Sequence, residues 1–316
     1  DVYKRQGQSC DDLEIVVVVD GSSPEHIEAY EAVDREFELI RFHYLYHRPS
    51  GHGQSYSLNF GAEQARGRYV GALDDDDHWT DMDYLARVKE NILAYPGTVD
   101  LHLSNQKAVF SDGKPQSDNV WLEDLIPRVT EDMHYRDDTY LVDAPFLFSS
   151  EGFGHLNCSI FSKELFERIG GLDESIRYEN DRDMYLRAVD ASSIVLFSTR
   201  YVSLHNIPDL RKKTNMSTMS SDIEKKLFQI RVYDKGVSLA SKPDTIALCR
   251  RGKVYELKHT ARILAARKQN SSALHYALQA LSSGFTVRWL LYTFYLAFQA
   301  MVSPGYDRAD AAGRDA

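Results

Sequence analysis

The sequence predicts an α/β fold, a doubly wound and mostly parallel sheet flanked by helices, followed by a separate helical region. Three features predict it. Residues 14–19 read EIVVVV, an unbroken apolar run of the kind buried on both faces of a parallel sheet. Strand-like and helix-like segments then alternate as far as about residue 204. After about residue 220 the pattern changes to long helical repeats of Leu, Ala and Tyr.

In chain order, the first strand ends at Asp20-Gly21-Ser22-Ser23. Pro24 and Glu25 open a helix predicted over 24–37, proline suiting the first turn and the carboxylate the positive end of the dipole. A second strand is predicted over 39–46. The Pro- and Gly-bearing loop 48–53 breaks the chain, a helix over 54–65 follows, and Gly67 ends it. The third strand, 69–73, stops at four consecutive aspartates, Asp74 to Asp77. A helix over 81–94 is closed by Pro96-Gly97, and strands are predicted at 99–103 and 107–110. Residues 111–150 are polar, acidic and poorly periodic, and read as a long insertion or lid with a small strand or helix inside. Helices are predicted over 161–169 and 181–191, strands over 194–197 and 201–204, and an antiparallel helix pair over 257–266 and 272–281. The first domain is expected over 1–220 and the helical region over 221–316, with a disordered tail at 307–316.

The 316 residues carry a net charge of −10, which argues against a general nucleic-acid binder with its basic face. A nucleotide ligand stays compatible, because a bound metal supplies positive charge locally. Cys10, Cys158 and Cys249 lie far apart and form neither a metal spacing nor a disulfide framework, which points to a reducing compartment. The most apolar stretch, Phe285 to Val302, is interrupted by Arg288 and Gln299. It reads as a packed terminal helix or a surface-lying one rather than a clean span.

Ligands of such sheets sit outside the carboxyl ends of strands, and two strands here end in acids, Asp20 and Asp74. Four adjacent carboxylates repel one another, so a cation is expected to compensate, and hard oxygen ligands suit Mg²⁺ or Mn²⁺. In an extended segment Asp74 and Asp76 share a face. The competing reading of the run is a solvated acidic turn. Asp20 could accept hydrogen bonds from a base or ribose, or cap a tight turn. Asp181 could be a helix N-cap or a general base. His205 could be a metal ligand or a diphosphate donor, and Lys212 and Lys213 could hold a diphosphate or lie in a solvated loop.

In this order the pieces resemble the family-2 glycosyltransferases of the GT-A fold. Val19-Asp20-Gly21-Ser22, the stretch from Gly53 through Asn59 and Gly61 to Gly67, and Leu73 to Asp77 match the nucleotide-binding half. Gly170-Gly171-Leu172-Asp173-Glu174 and the acidic helix start before Leu186-Arg187 match the acceptor half. The resemblance covers about residues 9–209. It implies an inverting, metal-dependent transfer of a sugar from a nucleotide-diphosphate donor, UDP-linked above others, to the hydroxyl of a saccharide or lipid-linked saccharide, in cell-surface polysaccharide or glycoconjugate synthesis. It implies that Asp20, Ser22, Asn59, Asp74 and Asp75 bind the nucleotide sugar, and that Asp76, Asp74 and His205 hold Mn²⁺ or Mg²⁺. Asp181 matches the catalytic base, with Glu179 its rival because the usual Glu-Asp pair stands as Asn180-Asp181. Ser57-Leu58-Asn59 replaces the usual Ala-Arg-Asn, and the family's first strand and helix are expected before Gln8. A sugar-1-phosphate nucleotidyltransferase and an inactive carbohydrate-binding relative are the competing readings. The expected location is the cytoplasm, with peripheral contact at the inner face of the membrane through the C-terminal helices as the second option.

Overall fold

The computed structural model describes residues 8–36, 40–48, 51–116, 120–208 and 220–302. The apolar run becomes β1 (Ile15–Asp20), which pairs in parallel with β2 (Ile40–Leu45) so that Asp20 faces Leu45. Between them α1 (Pro24–Glu36) starts at Ser23, whose hydroxyl accepts from the His26 N–H at 3.4 Å. Next come α2 (Gln54–Gln64), β3 (Tyr69–Gly71), β4 (His78–Trp79), α3 (Tyr84–Ala94) and β5 (Leu101–Val109). After them lie β6 (His134–Arg136), β7 (Thr139–Val142), α4 (Ala144–Leu147), β8 (Ser159–Ser162), α5 (Lys163–Arg168), α6 (Asn180–Ala191) and β9 (Val195–Asn206).

The second sheet runs β3-β8-β5-β9-β7-β6, with β4 also on β9. The α/β architecture is as expected, but the pairing is mixed rather than mostly parallel. β1–β2 and β5–β9 are parallel, whereas β3–β8, β5–β8, β4–β9, β7–β9 and β6–β7 are antiparallel. A strand covered on both faces reads as apolar whichever way its neighbours run, so the sequence pattern does not encode their direction.

Four segments differ from expectation for local reasons. The strands expected at 99–103 and 107–110 are one, β5, because β9 pairs it across the polar Ser104-Asn105-Gln106 with two register shifts. β9 likewise joins the two strands expected at 194–197 and 201–204. Phe161 and Ser162 are strand, not helix: the Ser162 hydroxyl accepts from Leu165 N–H at 3.1 Å and starts α5 there. Residues 111–150 are not a detached lid. β7 lies on β9, and Trp121, Leu122, Leu125 and Leu147 are buried. Their spacing follows 3₁₀ turns and very short elements, which give no helical or strand period to read.

The chain divides into two compact units, Asp1–Thr218 and Met219–Ala316. The second holds α7 (Asp222–Leu239), α8 (Pro243–Ala266), α9 (Asn270–Ser283) and α10 (Val287–Val302). Ser221 and Glu224 form a reciprocal capping box at the start of α7. Small residues bring these helices close. A Cβ on Gly236 would stand 2.3 Å from Cys249 Sγ, and Ala261, Ala273, Ala277 and Ala280 are fully buried. None of the three cysteines is in a disulfide. Among the described residues no helix is long and apolar enough to cross a membrane.

Candidate active site

The first strand-end acid is held by the loop before α2. The Asp20 carboxylate accepts from the backbone N–H groups of His52 (2.6 Å) and Gly53 (3.0 Å), and from the Ser57 hydroxyl (3.0 Å). His52 Nδ1 lies 2.9 Å from its other oxygen. Gly51 (φ 72) and Gly53 (φ 108) supply the left-handed backbone this wrap requires. Burial alone would raise the pKa of Asp20, but these hydrogen bonds outweigh it and hold the group below the usual 3.8. The next residue, Gln54, donates to Asp74 Oδ1 at 2.8 Å. The start of α2 therefore ties the end of β1 to the acidic run after β3, across two separate sheets.

Within that run the four aspartates are not equivalent. Asp75 and Asp76 are exposed, Asp74 is half-buried and Asp77 is buried. Asp77 accepts from Asn157 Nδ2 (2.6 Å), His205 Nδ1 (2.7 Å) and the Asn206 N–H (2.8 Å). Asn157 reaches back: its Oδ1 accepts from the Asp74 N–H at 3.0 Å and its carbonyl from Trp79 Nε1 at 2.8 Å. Burial opposes ionisation of Asp77, yet its hydrogen bonds and the neighbouring His205 together lower its pKa. Asp74 and Asp76 have no such set of donors. Burial first, then the charge of Asp77, pushes each up to about 6.

The network continues to the start of α6. The His155 ring packs 5.5 Å from His205, and the buried Trp121 lies edge-on to both, at 5.8 and 5.5 Å. His155 Nδ1 accepts from the Asn157 N–H at 3.2 Å, and its Nε2 lies 3.7 Å from Asp181 Oδ2. Burial raises the pKa of Asp181 and lowers that of His155. Glu179 has φ 66 and pairs with the Arg182 guanidinium, which stands 4.2 Å above the Phe153 ring.

The sequence model described as Glycosyl transferase family 2 matches residues 3–170, just over half of the chain. The chain belongs to glycosyl transferase family 2. EpsH of Bacillus subtilis (strain 168), named as a glycosyltransferase, is 32% identical over 120 residues, which are 36% of this chain and 31% of that protein. EpsJ of the same organism, also named as a glycosyltransferase, is 26% identical over 255 residues, 77% of this chain and 68% of EpsJ. The chain thus spans under a third of EpsH and about two thirds of EpsJ. S. aureus TarS 1–349 in complex with UDP-GlcNAc superposes with a TM-score of 0.64 at 13% identity, covering 97% of this chain and 88% of that one. The complex of TarS 1–349 with UDP gives 0.60 at 14% identity over the same shares. At such identity the likeness is one of fold, and that fold is GT-A.

In this family-2 glycosyltransferase, Asp20, Asp74, Asp181 and His205 fall on one connected network. Asp75 and Asp76 lie on its exposed edge, and Ser22 is half-buried in the turn after β1. Asn59 stands apart from this network. Its Oδ1 accepts from the Leu172 N–H (2.8 Å) and its Nδ2 donates to the Leu172 carbonyl (2.9 Å) and to Glu174 (3.0 Å), clipping α2 to the Gly-Gly turn. Lys212 and Lys213 lie outside the described residues. Asp77 as the anchor and Gln54 as the link escaped the sequence reading, since four identical residues carry no mark of which one turns inward.

The residues present fit the divalent metal that the family implies. Two carboxylates raised to about 6 crowd one edge, where a cation would relieve their repulsion. His205 presents Nδ1 to a carboxylate, the arrangement that orients a metal-binding imidazole through its other nitrogen. Among the described residues no group of three or more His, Cys, Asp or Glu could hold an ion by itself. One or two carboxylates completed by substrate phosphates are the usual setting for Mg²⁺.

Proposed function

We propose that this glycosyltransferase moves a sugar from a nucleotide-diphosphate donor, UDP-linked, to an acceptor hydroxyl of a saccharide or lipid-linked saccharide, with inversion at the anomeric carbon. One observation carries the reading. Gly53 donates to Asp20 and the adjoining Gln54 to Asp74, and contacts run on from Asp77 through His205 and His155 to Asp181. This proximity supports a nucleoside-side role for Asp20, a diphosphate-side role for the acidic run and a base role for Asp181. The UDP and UDP-GlcNAc complexes of TarS, which shares the fold, support a UDP-linked donor.

Asp20, kept ionised by its four donors, offers an acceptor to a base or ribose hydroxyl. Asp74 and Asp76 would hold Mn²⁺ or Mg²⁺, with His205 beside them, and the bound metal would supply Lewis-acid neutralisation of the departing diphosphate. Asp181 takes the proton from the attacking hydroxyl at its carboxylate. Its raised pKa makes it a stronger base than an ordinary aspartate. Glu179, paired with Arg182, is less suited to that step. A panel of nucleotide sugars, incubated with the protein, Mn²⁺ and saccharide acceptors, tests the reading. Nucleoside diphosphate should be released and the product should carry the inverted anomer. A panel giving no release with any donor, or a product of retained configuration, would contradict it.

A further inference from the structure

The last helix, α10, has two unlike faces. Trp289, Thr293 and Leu296 are buried, and Trp289 Nε1 donates to the Ala277 carbonyl of α9 at 3.0 Å. Val287, Leu291, Phe294, Tyr295, Phe298 and Met301 are 54% to 72% exposed. At about 100° per residue they fall in one arc roughly 120° wide, on the side away from Trp289. A contiguous apolar face of this kind marks an interaction surface. Among the described residues no helix, this one included, is long and apolar enough to cross a bilayer.

Charge indicates what lies against it. Residues 220–302 hold thirteen Lys and Arg against five Asp and Glu, whereas residues 1–218 hold 22 against 39. Two of the basic residues stand at one edge of the apolar arc. Arg288 is exposed next to it on α10, and on α8 the Arg262 guanidinium stands 5.7 Å from the ring of Trp289, which packs 5.0 Å from Tyr292 at that edge. Tyr292 and Tyr295 stack along the same edge at 6.0 Å, and tyrosine suits the boundary between apolar chains and headgroups. Two copies meeting through this face would press like-charged rims together, which disfavours self-association. We propose that α10 lies in the plane of an anionic lipid surface, its apolar arc at the headgroup boundary and its basic border on the lipid phosphates. This assignment does not depend on the transfer chemistry.

Co-sedimentation of the whole chain with phosphatidylcholine vesicles and with phosphatidylcholine–phosphatidylglycerol vesicles tests it. The protein should bind the mixed vesicles, bind pure phosphatidylcholine far less, and release as salt is raised. Leu291→Glu/Phe298→Glu and, separately, Arg262→Glu/Arg288→Glu should each lower partitioning on the order of tenfold or more. All four positions are exposed, and circular dichroism checks that each variant keeps its helix content. Equal binding to both vesicle types, binding to neither, or binding unchanged in both folded variants overturns the proposal. So does a dimer, seen by light scattering, that Leu291→Glu/Phe298→Glu dissociates, because a second copy would then occupy the face.

Discussion

Replacing Asp77 by asparagine removes the charge from a buried side chain that accepts three hydrogen bonds, from Asn157, His205 and Asn206. The new amide keeps one acceptor oxygen and turns an NH₂ group toward donors. Loss of a buried charge-assisted set of this kind costs about 3–5 kcal/mol. For a unit of this size that corresponds to a fall of roughly 6–20 °C in melting temperature. The pH dependence adds a second readout. The folded pKa of Asp77 is lowered from 3.8, so its stabilisation is fully present above that value and is lost as pH falls through the lower folded one. Asp74, three positions earlier, behaves oppositely. Its folded pKa is raised from 3.8 to about 6, so the folded state binds protons first and stability falls as pH rises through that window. Asp74→Asn keeps an acceptor for Gln54 and removes the repulsion, so it should stabilise the protein above about pH 7 by about 1–3 kcal/mol. Thermal melts of wild type and both variants, near pH 5 and above pH 7, read this directly. An Asp77→Asn melting point within about 2 °C of wild type, or an Asp74→Asn variant less stable than wild type above pH 7, would refute the reasoning.

Asp181→Asn should leave donor affinity unchanged while kcat falls by about two to four decades, measured by steady-state kinetics and donor titration. With wild type, log kcat should rise with pH and level off at a pKa above the ordinary 3.8, because burial raises that of Asp181 and the base must be ionised; a limb at or below that value would argue against the role. Asp76→Asn should abolish metal-dependent donor binding in calorimetry and, because its pKa is raised as that of Asp74 is, should not lower the melting temperature above pH 7. Asn157→Ala removes one of the three donors to Asp77, strands the Asp74 N–H and should destabilise by about 1–3 kcal/mol in urea unfolding. Gly171→Ala should cost about 1–3 kcal/mol or more, since φ is 63 and the added Cβ would stand 2.4 Å from Asn59 Oδ1; a neutral melting point would show that the Asn59 clip yields.

The strands and helices from Ile15 to Ala94, the two-residue β4 apart, were legible because each is short, strongly patterned and punctuated by Gly, Pro or Asp. So was the position of Asp20 at the carboxyl end of β1 and of Asp74 shortly after β3. The crowding of charge in the acidic run was also written in the chain, since four adjacent aspartates repel one another. Strand direction was not legible, and neither was the continuity of β5 through Ser104-Asn105-Gln106, because backbone pairing with β9 sustains a strand whatever its side chains. Only the tertiary structure decided that Asp77 turns inward to Asn157 and His205 while Asp76 faces solvent. It also decided that Asn59 serves the Gly171 turn. These choices depend on partners about 80 to 130 residues away in sequence, and local patterns carry no record of contacts made at that range.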